Sequence, residues 1–326
     1  VTFLQAIVIG IIQGVAELFP ISSLGHTVVI PAFIGGSWSR LVTQEASTES
    51  PYLAFVVGLH VATALALIAY FWRDWLRIIK GFFSSLAKRR ADTADERAAW
   101  FVVVATIPVG ILGLALEHEL RTIFAKPLAA ASFLTVNGLI LLGGELLRRK
   151  GRANPGAHAA AAAADGGPVV GRASDADADG DGDGKALVPV GTDDHDREVL
   201  ASLRLRDAII VGLAESTALL AGISRDGVCM VTGLARRLSY EDAARFAFLL
   251  SAPPILLAGL LKVPDLLGHL GNGIRGQVLA GSVAAFVMAL LSVRFLVRYF
   301  RKGRLTPFAI YCLALGASGI VYFSIK

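Results

Sequence analysis

Two stretches of this chain decide its fold: Gly10-Ile-Ile-Gln13-Gly-Val-Ala-Glu17-Leu-Phe-Pro20-Ile-Ser22-Ser23-Leu-Gly25-His26, and Gly212-Leu-Ala-Glu215-Ser-Thr-Ala-Leu-Leu-Ala-Gly222-Ile-Ser224-Arg225-Asp226-Gly227-Val228. At one constant offset Ala6, Ile7, Gly10, Ala16, Leu18, Ile21, Ser22, Gly25 and Val29 match Ala208, Ile209, Gly212, Ala218, Leu220, Ile223, Ser224, Gly227 and Val231. Each copy sets acids, hydroxyls and glycines into an apolar run. Polar groups at membrane depth are costly, so they mark function by default. A repeated pair of Gly/Pro-interrupted apolar segments points to a site between internal repeats.

The surrounding chain is that of a membrane protein. It has 326 residues, 55% of them hydrophobic, and a mean hydropathy of +0.63. Six apolar runs, at 52–72, 100–117, 127–147, 246–262, 278–297 and 305–325, approach or reach the ~20 residues that a bilayer crossing needs. The net charge of +5 lies in loops between spans and is not a nucleic-acid signature. Cys229 and Cys312 sit in apolar surroundings and read as buried thiols without a disulfide. The first apolar run carries Gln13 and Glu17 and has no basic flank, so it reads poorly as a signal peptide.

Basic residues set the orientation, because Lys and Arg gather in cytoplasmic loops. They crowd 73–99 (Arg73, Arg77, Lys80, Lys88, Arg89, Arg90, Arg97), both ends of 148–206, and 294–304. The alternate connections hold few. The 52–72 span then starts outside although two shorter apolar pieces precede it. Segment 3–36 therefore reads as a hairpin that enters from outside and turns near Pro20–Gly25. Segment 207–240 reads as a hairpin that enters from the cytoplasm and turns near Gly222–Gly227. The expected fold is an all-α integral membrane protein with an inverted-topology repeat. Each half (1–150 and 200–326) is one re-entrant helical hairpin plus three transmembrane helices, and both termini are outside. Irregular backbone at that depth is tolerated only against protein or a water-filled cavity, so the two tips are expected to meet. Segment 151–199, rich in Ala, Asp and Gly, reads as a disordered cytoplasmic linker. Its Asp-x-Asp-x-Asp-Gly start resembles a calcium loop, but Ala186 stands where a bidentate Glu is required.

The tips carry the chemistry. Gln13 and Glu17, four apart, share one helix face and could hold a divalent cation or a proton. Gly25 offers backbone freedom, and a helix starting after Ser22 would aim its N–H groups into the tip. Ser23 and His26 read as a nucleophile and base. His60 sits alone in a span, and His118 and His269 lie in outer loops; none receives a role. In the second tip, Arg225 presents a fork suited to phosphate oxygens, with Ser224, Gly227 and the backbone beside it; Asp226 or Glu215 is its expected ion-pair partner if its role is structural. Arg236 and Arg237 read as anchors at the cytoplasmic face. An anion clamp, a cation or proton site and a nucleophile inside a membrane suggest phosphoryl chemistry on a lipid headgroup.

At these residues the chain resembles the undecaprenyl-diphosphate phosphatases of the bacitracin-resistance (BacA/UppP) family. The family's first motif is a Glu or Gln, three residues, a Glu, then Pro-x-Ser-Ser-x-Gly-His. Gln13, Glu17, Pro20, Ser22, Ser23, Gly25 and His26 match it. Its second, Pro-Gly-x-Ser-Arg-Ser-Gly, is matched by Gly222, Ser224, Arg225 and Gly227. The resemblance covers both halves and omits only 151–199. It implies an inner-membrane hydrolase that removes the terminal phosphate of a C55 polyprenyl diphosphate. This recycles the lipid carrier for peptidoglycan synthesis and confers resistance to bacitracin. It implies a divalent cation (Mg2+ or Ca2+), a site open to the periplasm and a homodimer in the lipid bilayer. Carried onto this chain, Glu17, Ser23, His26 and Arg225 are the expected catalytic residues. Ser22, Gly25, Ser224, Arg225 and Gly227 are the expected substrate contacts, and Glu17, Gln13 and Glu215 the expected metal ligands. The chain departs from the pattern at Gln13, where an acid is commoner, and at Leu24, Ala221 and Asp226. Gln13 and Glu215 are equivalent in the repeats, so Glu215 is expected to supply the carboxylate that Gln13 lacks. The competing expectation is a polyprenyl-phosphate flippase, which would need the Arg clamp but no nucleophile. Lipid phosphatases with a His six residues after an Arg are excluded by Val231.

Overall fold

The structure, a computed structural model, describes residues 1–45, 51–116, 126–153, 205–236, 238–268 and 271–325. The expected linker beyond residue 153, its calcium-like loop, His118, Arg237 and His269 lie outside the described residues. Among the described residues every regular element is helical. In chain order they are α1 (Phe3–Ala16), α2 (Ser23–Ile34), α3 (Gly36–Glu45), α4 (Pro51–Tyr70), α5 (Trp72–Lys88), α6 (Ala94–Ala115) and α7 (Pro127–Ala153). After the undescribed stretch come α8 (Leu205–Ser216), a 3-10 turn (Thr217–Leu219), α9 (Arg225–Ala235), α10 (Tyr240–Leu267), α11 (Arg275–Tyr299) and α12 (Thr306–Ile325). Helices α6, α7, α10, α11 and α12 are long and apolar enough to cross a bilayer. Helices α4 and α5 form a sixth candidate, bent by 88° at Phe71. This is a multi-pass membrane protein.

Segment 73–99, expected as a loop, is mostly the helix α5. One face, Trp75, Ile78, Phe82 and Ser85, packs toward α6. A second stripe, Trp72, Leu76, Ile79, Phe83 and Leu86, stays exposed. The spacings of three and four are helical; the charges between them hid the pattern. Helix α6 begins at Ala94 rather than at 100, because Thr93 and Glu96 form a capping box: Thr93 Oγ1 accepts the Glu96 N–H at 3.3 Å and the Glu96 carboxylate accepts the Thr93 N–H at 3.0 Å. Helix α10 likewise begins at Tyr240, before the expected 246, behind the Ser239 hydroxyl that accepts the Asp242 N–H at 3.0 Å.

The two motif segments are each a short helix, a break, and a second short helix: α1–α2 and α8–α9. Neither α1 nor α2 is long enough to cross alone. The breaks fall at 17–22 and 217–224, a few residues before the expected turns. Each leading helix packs mainly on the other half of the chain, α1 on α11 and α8 on α6. The matched glycines make this possible. A Cβ at Gly10 would strike the Gly281 carbonyl, and one at Gly212 the Ala105 carbonyl.

Candidate active site

Both breaks lead into a capped helix N-terminus. Ser22 caps α2, and its Oγ accepts the Gly25 N–H at 3.3 Å. Ser224 caps α9, and its Oγ accepts the Gly227 N–H at 3.1 Å. These are the roles that short hydroxyl side chains take at helix starts. Ser22 holds φ 72°, a conformation rare outside glycine and the kind of strain that collects at functional sites. The Ser22 hydroxyl also accepts the N–H of Gly222 in the other break, at 3.1 Å. The two tips are therefore in direct contact. Gly25 lies inside α2, so its expected turn role is replaced by a packing one. A Cβ there would come within 2.9 Å of the Gly222 Cα. Gly222, at φ +115°, is the residue that does need glycine's conformational freedom. Gly227 faces Leu141, Ser224 and the Pro20 carbonyl.

Glu17 is the hub. Its Oε2 accepts the Ser23 hydroxyl and the Gln13 amide N–H at 2.8 Å, and lies 3.4 Å from His60 Nε2. Its Oε1 is 3.8 Å from Arg225 NH2. The Arg225 Nε edge is 3.9 Å from Glu215 Oε1, and NH1 donates to the Ser251 carbonyl at 3.1 Å. The guanidinium thus sits between an acid of each tip. Asp226, the other expected partner of Arg225, accepts the Ser251 hydroxyl.

The expected Ser23–His26 pair does not form: Ser23 turns to Glu17. His26 Nδ1 is 2.6 Å from the Ser22 carbonyl, and since a carbonyl only accepts, Nδ1 carries the hydrogen. Its Nε2 then accepts the Tyr311 hydroxyl at 2.9 Å, and the two rings stack with centroids 5.5 Å apart. Tyr311 is partly exposed, whereas His26 is buried.

Four residues at the site were missed in the sequence: His60, Asn137, Ser251 and Tyr311. His60 and Asn137 are polar groups inside apolar spans, so the rule that flagged the tips also applied to them. Ser251 and Tyr311 also lie in apolar spans, but a lone hydroxyl there is a weaker signal than an imidazole or an amide. Arg236, as an anchor, pairs with Asp207 at 2.9 Å, and Cys229 and Cys312 are free and buried.

The residues suit a hard divalent cation by donor chemistry. Gln13 Oε1, both Glu215 oxygens and Asp226 Oδ2 are buried without a hydrogen-bond partner among the described residues. Three carboxyl groups (Glu17, Glu215, Asp226) surround one guanidinium, so a polyanion entering here needs further positive charge. No group of three His, Cys, Asp or Glu among the described residues forms a ready cage.

A multi-pass helical protein with buried acids, a hydroxyl and a guanidinium held between two broken helices is thereby defined. The chain belongs to the family described as bacitracin resistance protein BacA, which matches residues 6–318. It is 53% identical to undecaprenyl-diphosphatase 2 of Frankia alni over 347 aligned residues, covering 99% of this chain and 98% of that protein. It is 51% identical to the undecaprenyl-diphosphatases of Mycolicibacterium paratuberculosis and Mycobacterium avium, over all of this chain and 98% of each.

Proposed function

We propose that this chain is a membrane phosphatase that hydrolyses undecaprenyl diphosphate to undecaprenyl phosphate and inorganic phosphate. Its product is the lipid carrier used in cell-wall synthesis, and its activity confers resistance to bacitracin, as the family name implies. The observation that carries the reading is Glu17: one oxygen holds the Ser23 hydroxyl and the other faces Arg225 of the opposite tip.

Arg225 and the N–H groups at the starts of α2 and α9 grip the diphosphate, with Ser22, Gly25, Ser224 and Gly227 shaping the cradle. Ser23 Oγ, or a water that it orders, attacks the terminal phosphorus. Its proton passes to Glu17, which stands where a general base is required; where Ser23 itself attacks, a water then displaces it from the phosphoserine, and Glu17 returns the proton to the departing Ser23 Oγ. The leaving group is the polyprenyl monophosphate, whose charge Arg225 stabilises. His26, held by the Ser22 carbonyl and paired with Tyr311, handles the proton of the released phosphate. Glu17 Oε1, Gln13 Oε1 and Glu215 are the oxygens that would hold Mg2+ or Ca2+, which supplies charge neutralisation of the diphosphate when bound.

The membrane arrangement follows the same reading. The hairpins α1–α2 and α8–α9 are re-entrant and inverted relative to each other. The exchange of α1 onto α11 and α8 onto α6 is the packing that two interlocked, oppositely oriented repeats produce. Both termini and the mouth of the site face the periplasm across the inner membrane. The 151–199 linker is cytoplasmic, and the working unit is a dimer in the lipid bilayer. The test is phosphate release from a C55 polyprenyl diphosphate by purified protein, with and without chelator, beside Arg225→Ala and Ser23→Ala. Lipid binding without release in the presence of Mg2+ and Ca2+ would favour the flippase instead. Trapping of phosphoserine at Ser23 separates direct attack from attack by water.

A further inference from the structure

Asn137 lies on α7, outside both tips and outside both sequence motifs, and it is fully buried. Its Nδ2 donates to the Pro20 carbonyl at 3.1 Å, and its Oδ1 accepts the Ser224 N–H at 2.9 Å. Nδ2 is also 3.4 Å from Cys312 Sγ. The orientation of the amide is forced, because the carbonyl only accepts and the N–H only donates. One side chain therefore bonds the backbone of both breaks at once.

The bonded positions matter. Pro20 stands two residues before the α2 cap and three before Ser23. Ser224 is the α9 cap, directly before Arg225. We propose that Asn137 is a positioning residue: it sets the register between the two tips, and so the placement of Ser23 against Arg225. Two features support a register that must be held. The Ser22–Gly222 bond and the tight approach of Gly25 to Gly222 both depend on tip separation to within a few tenths of an ångström. An apolar residue would leave the Pro20 carbonyl and the Ser224 N–H buried and unpaired, and each would find a partner only if the tip moved.

The activity arm of the test rests on the proposed phosphatase reading; the exchange arm does not. Wild type, Asn137→Leu, Asn137→Gln and the half-buried same-helix control Ser132→Ala, a residue that bonds only within its own helix, are purified as full chains. Phosphate release from C55 polyprenyl diphosphate gives kcat and KM, and hydrogen exchange followed across 220–228 reports the Ser224 amide. In Asn137→Leu, kcat is expected to fall about 10- to 100-fold, the loss that a misplacement of about 1 Å produces. KM stays within about threefold, and the Ser224 amide exchanges faster. Asn137→Gln, with the same amide on a longer stem, recovers part of kcat, and Ser132→Ala matches wild type. The proposal is overturned if folded Asn137→Leu keeps wild-type kcat, or if its Ser224 amide exchanges as slowly as in wild type. Should Asn137→Leu fail to fold, Asn137→Ser carries the same comparison; failure of both would make Asn137 a folding residue and overturn the positioning role. If wild type and Ser132→Ala release no phosphate, the phosphatase reading alone fails, and the exchange arm still decides the role of Asn137.

Discussion

Replacing Glu215 by Gln separates two roles that its position allows, because they predict changes of opposite sign. Glu215 Oε1 lies 3.9 Å from Arg225 Nε, and the side chain is 1% exposed. At that separation and an effective dielectric of ~20, a full charge pair is worth about 4 kcal/mol. If Glu215 does no more than neutralise Arg225, then Glu215→Gln frees the guanidinium for the diphosphate. KM should fall, by as much as about 10³-fold at that limit and by less once the burial cost of Arg225 is counted. If Glu215 supplies the carboxylate that Gln13 lacks, the same change removes a cation ligand. Activity should then drop by two orders of magnitude or more, and the Mg2+ concentration for half-maximal rate should rise. The assay is phosphate release titrated against substrate and against Mg2+, with Gln13→Glu and the double variant Gln13→Glu/Glu215→Gln alongside. The metal reading expects the double variant to recover much of the activity, since the two positions are equivalent in the repeats. A double variant as inactive as Glu215→Gln refutes the exchange of carboxylates. A fall in KM with undiminished kcat refutes the metal role altogether.

Gly25→Ala places a methyl within 2.9 Å of the Gly222 backbone; overpacking of this kind costs about 1–3 kcal/mol, so a lower melting temperature and a kcat at least tenfold down are expected in the same preparation. His60→Leu should lower kcat by one to two orders of magnitude by removing the partner 3.4 Å from Glu17, whereas His60→Gln, which can still donate to the carboxylate, should retain more; equal activity in His60→Leu and wild type would return His60 to a packing role. Tyr311→Phe removes the hydroxyl on His26 Nε2 while keeping the stacked ring, and steady-state kinetics should show a smaller loss than His26→Ala. Ser251→Ala leaves the backbone bond to Arg225 in place but unpairs Asp226, so thermal stability is expected to fall by about 1–3 kcal/mol with KM little changed.

The membrane class, the two broken segments and the residues of both motifs were legible in the sequence because each rests on a local rule: apolar length, glycine and proline breaks, hydroxyls before helix starts. What was not legible depends on contacts between distant elements. Ser23 was paired with His26 on three-residue spacing, yet the break turns Ser23 back toward Glu17, and Tyr311, 285 residues from His26, claims the imidazole. By sequence His60 is a lone histidine in a span; only the packing of α4 against α1 brings it to Glu17. Gly25 was given a turn, but the residue at positive φ is Gly222, and Gly25 is needed for the approach between tips. The α5 helix was hidden for a different reason: its charges are those of a loop, and its apolar stripe emerges only when read at helical spacing.

The geometry of the tips also bears on the choice between hydrolysis and transport. Alternating access built on inverted repeats moves one repeat against the other around a central site. Here the centre is fastened. Separating the tips would break the Ser22–Gly222 bond and one or both bonds of Asn137, and would pull Arg225 from Glu17. The donors and acceptors released are buried, and an unpaired buried polar group costs about 1–3 kcal/mol, so parting two or three such bonds without solvent entry is strongly opposed. The helices would also have to slide where Gly10 and Gly212 lie against the backbone of the opposite half, a contact that leaves no room for a change of register. A fixed pair of tips is what the proposed attack requires, since on that reading Ser23 and Arg225 act on one diphosphate. A covalent link between the tips should therefore leave phosphate release intact, and a rate abolished by such a link and restored by reduction would show that the tips must part during turnover.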